Sequence, residues 1–302
     1  MQEPIRHYCR LGIVHGMAWP ACLGGDGPVV ESITHLAEDA DFDVIEVGRI
    51  NDPGARAEAI TIAQQAGLDI VFAGQPTVLG RGLAPASLDA DERRTAVDTL
   101  KADIDLAYEY GAQAFAFLSG KDPGDAQRAD ATKAMTVSTQ ELCDHASAGG
   151  AITVLLETFD RTIDKKSLIG PNTEAAALAR LVSRDNFGLM LDLSHLPLQG
   201  ETPREGLTAA RDYLKHAHIG NCMMSDPNDP AYGDNHPRFG YPGGENGVAE
   251  TAEFLRVLLD IGYLSKEHRP VLSFEVKPQP GESTPVIIAN AKRTLAQAWA
   301  QV

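Results

Sequence analysis

The 302-residue chain reads as an α/β protein of one domain, a (β/α)8 TIM barrel. Three observations give that class. Short β-branched apolar runs alternate with longer amphipathic stretches along the whole chain, the pattern of βα units on a parallel sheet. No linker or low-complexity stretch divides the sequence, and its length suits eight such units. Finally, four runs in the second half each end in a potential metal ligand. Glu157 closes ITVLLE, Asp192 closes FGLMLD, His218 closes YLKHAH and Glu275 closes PVLSFE. Parallel strands closed into a barrel would bring all four to one point on the C-terminal rim.

The elements follow in order. Strand one, Leu11–Val14, leads into HGMAWPACLGGDGP, whose glycines lack the GxGxxG order of a dinucleotide turn. This favours a barrel over an open doubly wound sheet. A helix over Val29–Ala40 carries apolar residues at Val30, Ile33, Leu36, Ala37 and Ala40. Strands over Asp43–Val47 and Asp69–Ala73 come next. A helix over Asp89–Tyr110 starts on a capping Asp and stops before Gly111. Strands over Ala114–Leu118, Ile152–Glu157, Gly188–Asp192 and His216–Ile219 follow. A helix over Val248–Ile261 aligns Phe254, Leu255, Leu258 and Leu259, and Val271–Glu275 is the eighth strand. Most strands are continuously apolar, as burial of both faces requires.

Composition narrows the function. The net charge of −16 argues against nucleic-acid binding, which needs clustered Lys and Arg. No run approaches the length of a bilayer span, and the N-terminus lacks the apolar stretch of a signal peptide, so a cytoplasmic protein is expected. Cys9, Cys22, Cys143 and Cys222 show no CxxC spacing and read as reduced, buried thiols. Cys222 is of interest only because it follows the seventh strand.

Three carboxylates and one imidazole make a divalent-metal site, with Mn²⁺ first and Mg²⁺, Co²⁺ or Zn²⁺ also compatible. His216 and His218 share a face of their strand. His218, nearer the strand end, is the expected ligand, with His216 one layer deeper. His195, three residues past Asp192, is expected to contact a substrate oxygen rather than merely cap its loop. Glu46 also ends a strand, where it could orient a substrate or pair with Arg49. The segment Gly220–Gly247 is far longer than an ordinary βα connection. It holds His236, Arg238, Phe239 and Tyr241, a set suited to a polar ligand, although an ordered surface loop or an oligomer contact would also account for it. The charged stretch from Asp160 and Arg161 to Asp164, Lys165 and Lys166 reads as a solvated loop that could close over a substrate.

These residues together resemble the xylose isomerase-like superfamily of sugar isomerases and epimerases, most strongly from Val154 to Lys277. The resemblance to its ketose 3-epimerase branch implies a metal on Glu157, Asp192, His218 and Glu275. It implies that Glu157 and Glu275 also form the acid/base pair, and that His195 of the DxxH element contacts substrate. Arg238 stands in the loop where that branch carries a substrate-binding arginine. The implied activity is isomerisation or epimerisation of an unphosphorylated sugar or sugar-like molecule through a metal-stabilised enediolate, by a chain that could form a homo-oligomer. The alternative is a lyase on the same scaffold, a dehydratase or a metal-dependent subunit that cleaves C-glycosides by way of a 3-keto sugar. A sugar-binding module without catalysis is a third reading. Endonuclease IV shares the barrel but uses more His ligands, so a single imidazole at the rim and the acidic charge both speak against it.

Overall fold

A computed structural model describes residues 3–302. Eight strands form a closed barrel in chain order, every neighbouring pair parallel. They are β1 (Arg10–Val14), β2 (Val44–Val47), β3 (Asp69–Ala73), β4 (Ala114–Phe117), β5 (Thr153–Glu157), β6 (Phe187–Asp192), β7 (Leu214–Gly220) and β8 (Val271–Glu275). The helices are α1 (His15–Ala18), α2 (Val29–Ala37), α3 (Pro53–Ala66), α4 (Gln75–Arg81), α5 (Ala90–Glu109), α6 (Asp125–Gly149), α7 (Asn172–Val182), α8 (His195–Gln199), α9 (Pro203–Ala210), α10 (Val248–Asp260) and α11 (Thr284–Trp299). The expected strands are all present, within two residues at each end. Several connections carry two helices where one was expected, because short helices such as α1, α4 and α8 sit on the rim.

Local chemistry explains the boundaries. Asp89 accepts hydrogen bonds from Asp91 and Glu92 N–H and starts α5; Asp52 caps α3 before Pro53 in the same way. The second helix is shorter than its periodicity suggests and ends at Ala37. Its buried stripe is Val29, Ser32, Ile33 and Leu36, while Ala40 is exposed in the turn toward β2.

Strand periodicity divides the core in two. One large apolar layer lies between strands and helices and includes Phe72, Phe115 and Phe117, whose rings stack at 5.9 and 6.1 Å. The alternate positions face inward as a separate, smaller cluster: Val44, Val71, Ala114, Ala116, Leu155, Met190 and Val271. Small residues keep part of this interior open. A Cβ on Gly12 would stand 2.3 Å from Ser273 Oγ. The inward positions above the apolar cluster are polar: Glu46, Glu157, Asp192, His216, His218 and Glu275.

Register decides which of them meet. Leu189 pairs with Leu214, but Met190 pairs with His216, leaving Lys215 as an extra residue on β7. Lys215 is exposed on an otherwise buried strand and lies over Gly188, with Nζ donating to Asp185 O at 2.6 Å. Beyond this bulge Asp192 stands in register with His218, and Gly220 with Glu275.

Phe115→Ala removes a fully buried ring and should cost about 3–5 kcal/mol, read as a lower urea midpoint at unchanged slope. His15, the first residue of α1, is buried with Nε2 2.7 Å from Ser32 Oγ, and burial lowers its pKa from 6.5 to about 4. The unfolded chain therefore takes up a proton between pH 6.5 and 4 that the folded chain refuses. That contribution is intact above pH 6.5 and is lost as the pH falls, by about 3 kcal/mol in all. A His15→Gln variant should show a flatter pH dependence of unfolding over this interval.

Candidate metal centre and active site

Glu157, Asp192, His218 and Glu275 converge at the C-terminal end of the barrel. Each offers a donor atom, and the four atoms lie within 4.8 Å of one another. His218 Nδ1 is 2.8 Å from Glu275 Oε2, 3.6 Å from Glu157 Oε1 and 3.9 Å from Asp192 Oδ2. Other carboxylate oxygens are held from outside: Gln75 Nε2 donates to Glu157 Oε2 at 2.7 Å, and Ser194 N–H donates to Asp192 Oδ1 at 2.6 Å. Glu157 Oε1 and Asp192 Oδ2, both buried, are left without any hydrogen bond. Buried anionic oxygens without partners are costly. A divalent cation among these four side chains would satisfy both, so the donor set fits such an ion.

Glu46 stands beneath this group. Its carboxylate lies 2.8 Å from His216 Nε2 and 3.0 Å from His218 Nε2, which leaves His218 Nδ1 facing the four-residue centre. Pairing of Glu46 with Arg49 does not occur. Arg49 is bound to Asp103 instead, because it lies beyond the strand end and points outward to α5.

The segment after β7 turns back into the site. Asn221 anchors it by donating to Arg238 O and accepting from Asn246 N–H, and Met223 bridges to Gly233 and Gly244. His236 adopts a left-handed backbone (φ 45°), and its carbonyl accepts from Lys277 N–H at 2.7 Å. This places the imidazole inside, with Nδ1 3.3 Å from Ser194 Oγ and Nε2 3.5 Å from Glu275 Oε1. Gly220 permits the approach: a Cβ there would lie 2.6 Å from Glu275 O and 3.0 Å from His236 Nδ1. His195, at the start of α8, packs on the Phe159 ring at 4.4 Å, and its Nδ1 lies 2.8 Å from Thr158 O. Asp234 Oδ1 lies 3.1 Å from His195 Nε2 and 3.0 Å from His236 Nε2, and Lys165 pairs with the other oxygen at 3.1 Å.

Several expectations need correction. The single imidazole expected at the site becomes three, since His195 and His236 join His218, while His216 lies one layer deeper on Glu46 as expected. The histidine count therefore does not separate this site from a zinc cluster, whereas the acidic net charge still opposes a DNA-binding face. Arg238 is bound to Glu282 Oε1 at 2.9 Å and to Gly240 O, outside the cavity lining, because the loop carries it toward α11. The stretch after β5 is solvated only in part: Asp164 and Lys166 are exposed, but its first residue is not. Asp160 is fully buried and accepts from the N–H groups of Ile163, Asp164 and Lys165, which folds the segment inward and delivers Lys165 to Asp234. Asp234, Gln75 and Lys277 were not singled out from the sequence. Gln75 had a signal, as a polar residue just past a strand end; Asp234 stood two residues before His236 in the same loop.

The cavity above these groups has a volume of about 480 Å³. Its floor is polar, with Gln75, Glu157, His218, Asp234, His236 and Glu275, while Val14, Met17, Leu23, Pro76 and Leu79 make an apolar wall. Charge is concentrated on the floor. Burial alone would push the Glu46 carboxyl up, but the His218 and His216 rings hold it well below the usual range. Burial likewise opposes charge on His218, yet Glu46 and the neighbouring Glu157 and Glu275 carboxylates raise it well above an ordinary histidine. Against the burial of both rings, Asp234, with Asp192 behind it, carries His195 up to about 10 and His236 to about 9. Burial raises Asp192. Burial also pushes the Cys222 thiol far up, beside Asp234 and Glu245, so Cys222 serves packing and offers no thiolate.

The barrel and its rim together define a single-domain TIM barrel with a carboxylate–imidazole centre at the C-terminal end. Residues 34–294 match the family described as xylose isomerase-like TIM barrel, and the chain belongs to that family. No curated protein sequence matches it. Among solved structures it is similar to an L-ribulose 3-epimerase, with a TM-score of 0.72 at 18% identity over 97% of this chain and 96% of that one. It is similar to D-psicose 3-epimerase from Clostridium cellulolyticum H10, with a TM-score of 0.66 at 18% identity over 97% and 96%. The 3-keto-D-glucoside 4-epimerase of E. coli gives a TM-score of 0.66 at 14% identity over 97% and 99%. At these identities the likeness is one of fold. No helix among the described residues is long and apolar enough to cross a membrane.

The close approach at Gly220 can be tested directly. Gly220→Ala should displace His236 or the end of β8 and cost about 1–3 kcal/mol in thermal unfolding, with weaker metal retention after desalting.

Proposed function

We propose that the protein is a divalent-metal-dependent isomerase or epimerase of a sugar or sugar-like substrate, acting by proton transfer through an enediolate. The observation that carries this reading is the pair of orphaned buried oxygens on Glu157 and Asp192, within 4.8 Å of donors on His218 and Glu275. Glu157, Asp192, His218 and Glu275 would hold the ion, with Mn²⁺ the best match to an oxygen-rich set and Mg²⁺, Co²⁺ or Zn²⁺ also accommodated. When bound, it supplies positive charge next to a substrate carbonyl and so stabilises the enediolate.

The remaining work falls to side chains. One of Glu157 and Glu275 takes the proton α to the carbonyl, and the other returns a proton to a different face or carbon. Gln75 fixes the Glu157 carboxylate through Oε2, and Glu46 fixes the His218 ring through Nε2. His195 and His236 border the same floor, and Lys277 lines the cavity where Arg238 was expected. The fold relatives named above are ketose and keto-glucoside epimerases, which supports a sugar substrate. A lyase is the second reading. It shares the first proton abstraction, and the apolar wall from Val14 to Leu79 gives a leaving group somewhere to lie.

Glu157→Gln and Glu275→Gln should each abolish deuterium incorporation from solvent into ketose and keto-glycoside substrates, a loss of at least about a hundredfold. Retained exchange in both variants would overturn the acid/base assignment. Elimination products in place of epimers would select the lyase. Chelation of the ion should lower the unfolding temperature, and restoring it at about a hundredfold excess over Kd should return about 3 kcal/mol.

A further inference from the structure

We infer that the substrate is an acid, a keto sugar bearing a carboxylate, and that Lys277 is the residue that recognises its charge. The inference rests on the proton-transfer reading above and names the substrate class of that same site. Among the described residues, two lysines and no arginine line the cavity. Lys165 is already paired, with Nζ 2.8 Å from Asp164 Oδ2 and 3.1 Å from Asp234 Oδ2. Lys277 Nζ meets only the amide oxygen of Asn235, at 3.1 Å, and forms no ion pair with any described residue.

The chain has 42 acidic residues against 26 basic ones, so carboxylates are in surplus, yet this half-buried lysine has none. An ammonium charge withdrawn from water without a counter-charge is costly. Asn235 does not supply one. Its Nδ2 donates to Tyr232 O at 2.8 Å, which leaves Oδ1 facing Lys277. This neutral amide takes one of the three ammonium N–H groups and leaves the charge and two donors for a ligand. A substrate hydroxyl would leave the charge unanswered. A phosphate would bring close to two negative charges to a single ammonium. A carboxylate matches it in charge, and its two oxygens match the two remaining donors.

The backbone fixes where this charge stands. Lys277 N–H donates to His236 O at 2.7 Å, and Gln279 Nε2 donates to Asn235 O at 3.2 Å and Lys277 O at 3.4 Å. Gln279 N–H donates in turn to Glu282 Oε2 at 2.9 Å, while the other oxygen of Glu282 holds Arg238, also at 2.9 Å. One carboxylate thus draws Arg238 out of the cavity and orders the turn that leaves Lys277 on its lining. Lys277 follows Glu275 by two residues, so their Cα atoms are at most about 7 Å apart. Both line the one cavity, and a single sugar acid can reach both.

The test compares metal-loaded wild type, Lys277→Gln and Lys277→Arg. Solvent-deuterium exchange is measured on D-fructuronate, D-fructose and D-fructose 6-phosphate. Calorimetry measures binding of D-gluconate and D-glucitol, which lack a carbonyl group to react. The wild type should exchange D-fructuronate with a kcat/KM at least about tenfold above that for D-fructose, and should bind gluconate more tightly than glucitol. Lys277→Gln should bring both ratios to about one, a loss of about ten- to a hundredfold carried by KM, and Lys277→Arg should restore most of it. Preference of the wild type for fructose or its phosphate, or ratios that Lys277→Gln leaves unchanged, would overturn the acid reading. Exchange of none of the probes, with gluconate binding still dependent on Lys277, would overturn proton transfer and leave the acid site standing. No exchange and no preference for gluconate would overturn both.

Discussion

Glu46 reaches across the barrel interior from β2 to both imidazoles of β7, and the geometry of the floor depends on that contact. An isolated carboxylate at this depth would be driven to its neutral form. Two ring N–H groups keep it charged, and in return it fixes the orientation of His218, the residue nearest the middle of the site. The grip is possible because the interior is sparsely filled. Gly12, Ala114, Ala116 and Ser273 occupy inward positions that larger side chains often fill in such barrels, leaving room for a buried Glu and two His. Stability given up in apolar packing is exchanged for a charged, ordered layer under the rim.

Above this layer the site draws together segments of very different kinds. Glu157, Asp192, His218 and Glu275 come from strand ends, whose positions the barrel register sets. His195 comes from the first turn of a short helix. Lys165, Asp234 and His236 come from loops, and each loop is itself fixed by buried polar contacts: three N–H groups on Asp160, and Asn221 bridging the two ends of the β7 segment. Rigid anchoring of this sort gives loop residues the precision of strand residues. The apolar wall comes from the end of β1 and from the connections after β1 and β3, through Val14, Met17, Leu23, Pro76 and Leu79.

The eight-stranded barrel and its four strand-end candidate ligands were legible in the sequence. Apolar runs of strand length recur along the chain, and a carboxylate or imidazole closing such a run is conspicuous because burial there is expensive. His195 and His236 were visible as candidates, and their proximity to the four-residue group is a matter of distance that only the fold reveals. Asp234, Gln75 and the inward turn of Lys165 were not read, and Arg238, a candidate for a polar ligand, pairs with Glu282 outside the cavity lining. A charged residue in a Gly- and Pro-rich loop looks the same whether it is solvated or buried, because the loop has no periodicity to report which way it faces.

The sequence by itself determined the eight strands, their order and which residues end the apolar runs, since continuous apolar runs of strand length alternate with segments of helical period. The tertiary structure decided which of those residues touch. The bulge at Lys215 set the register that puts Asp192 beside His218, the missing side chain at Gly220 let His236 enter, and the burial of Asp160 turned the loop that carries Lys165. Each is an interaction between segments that meet only in the folded chain, where distance and burial act and sequence spacing carries no information.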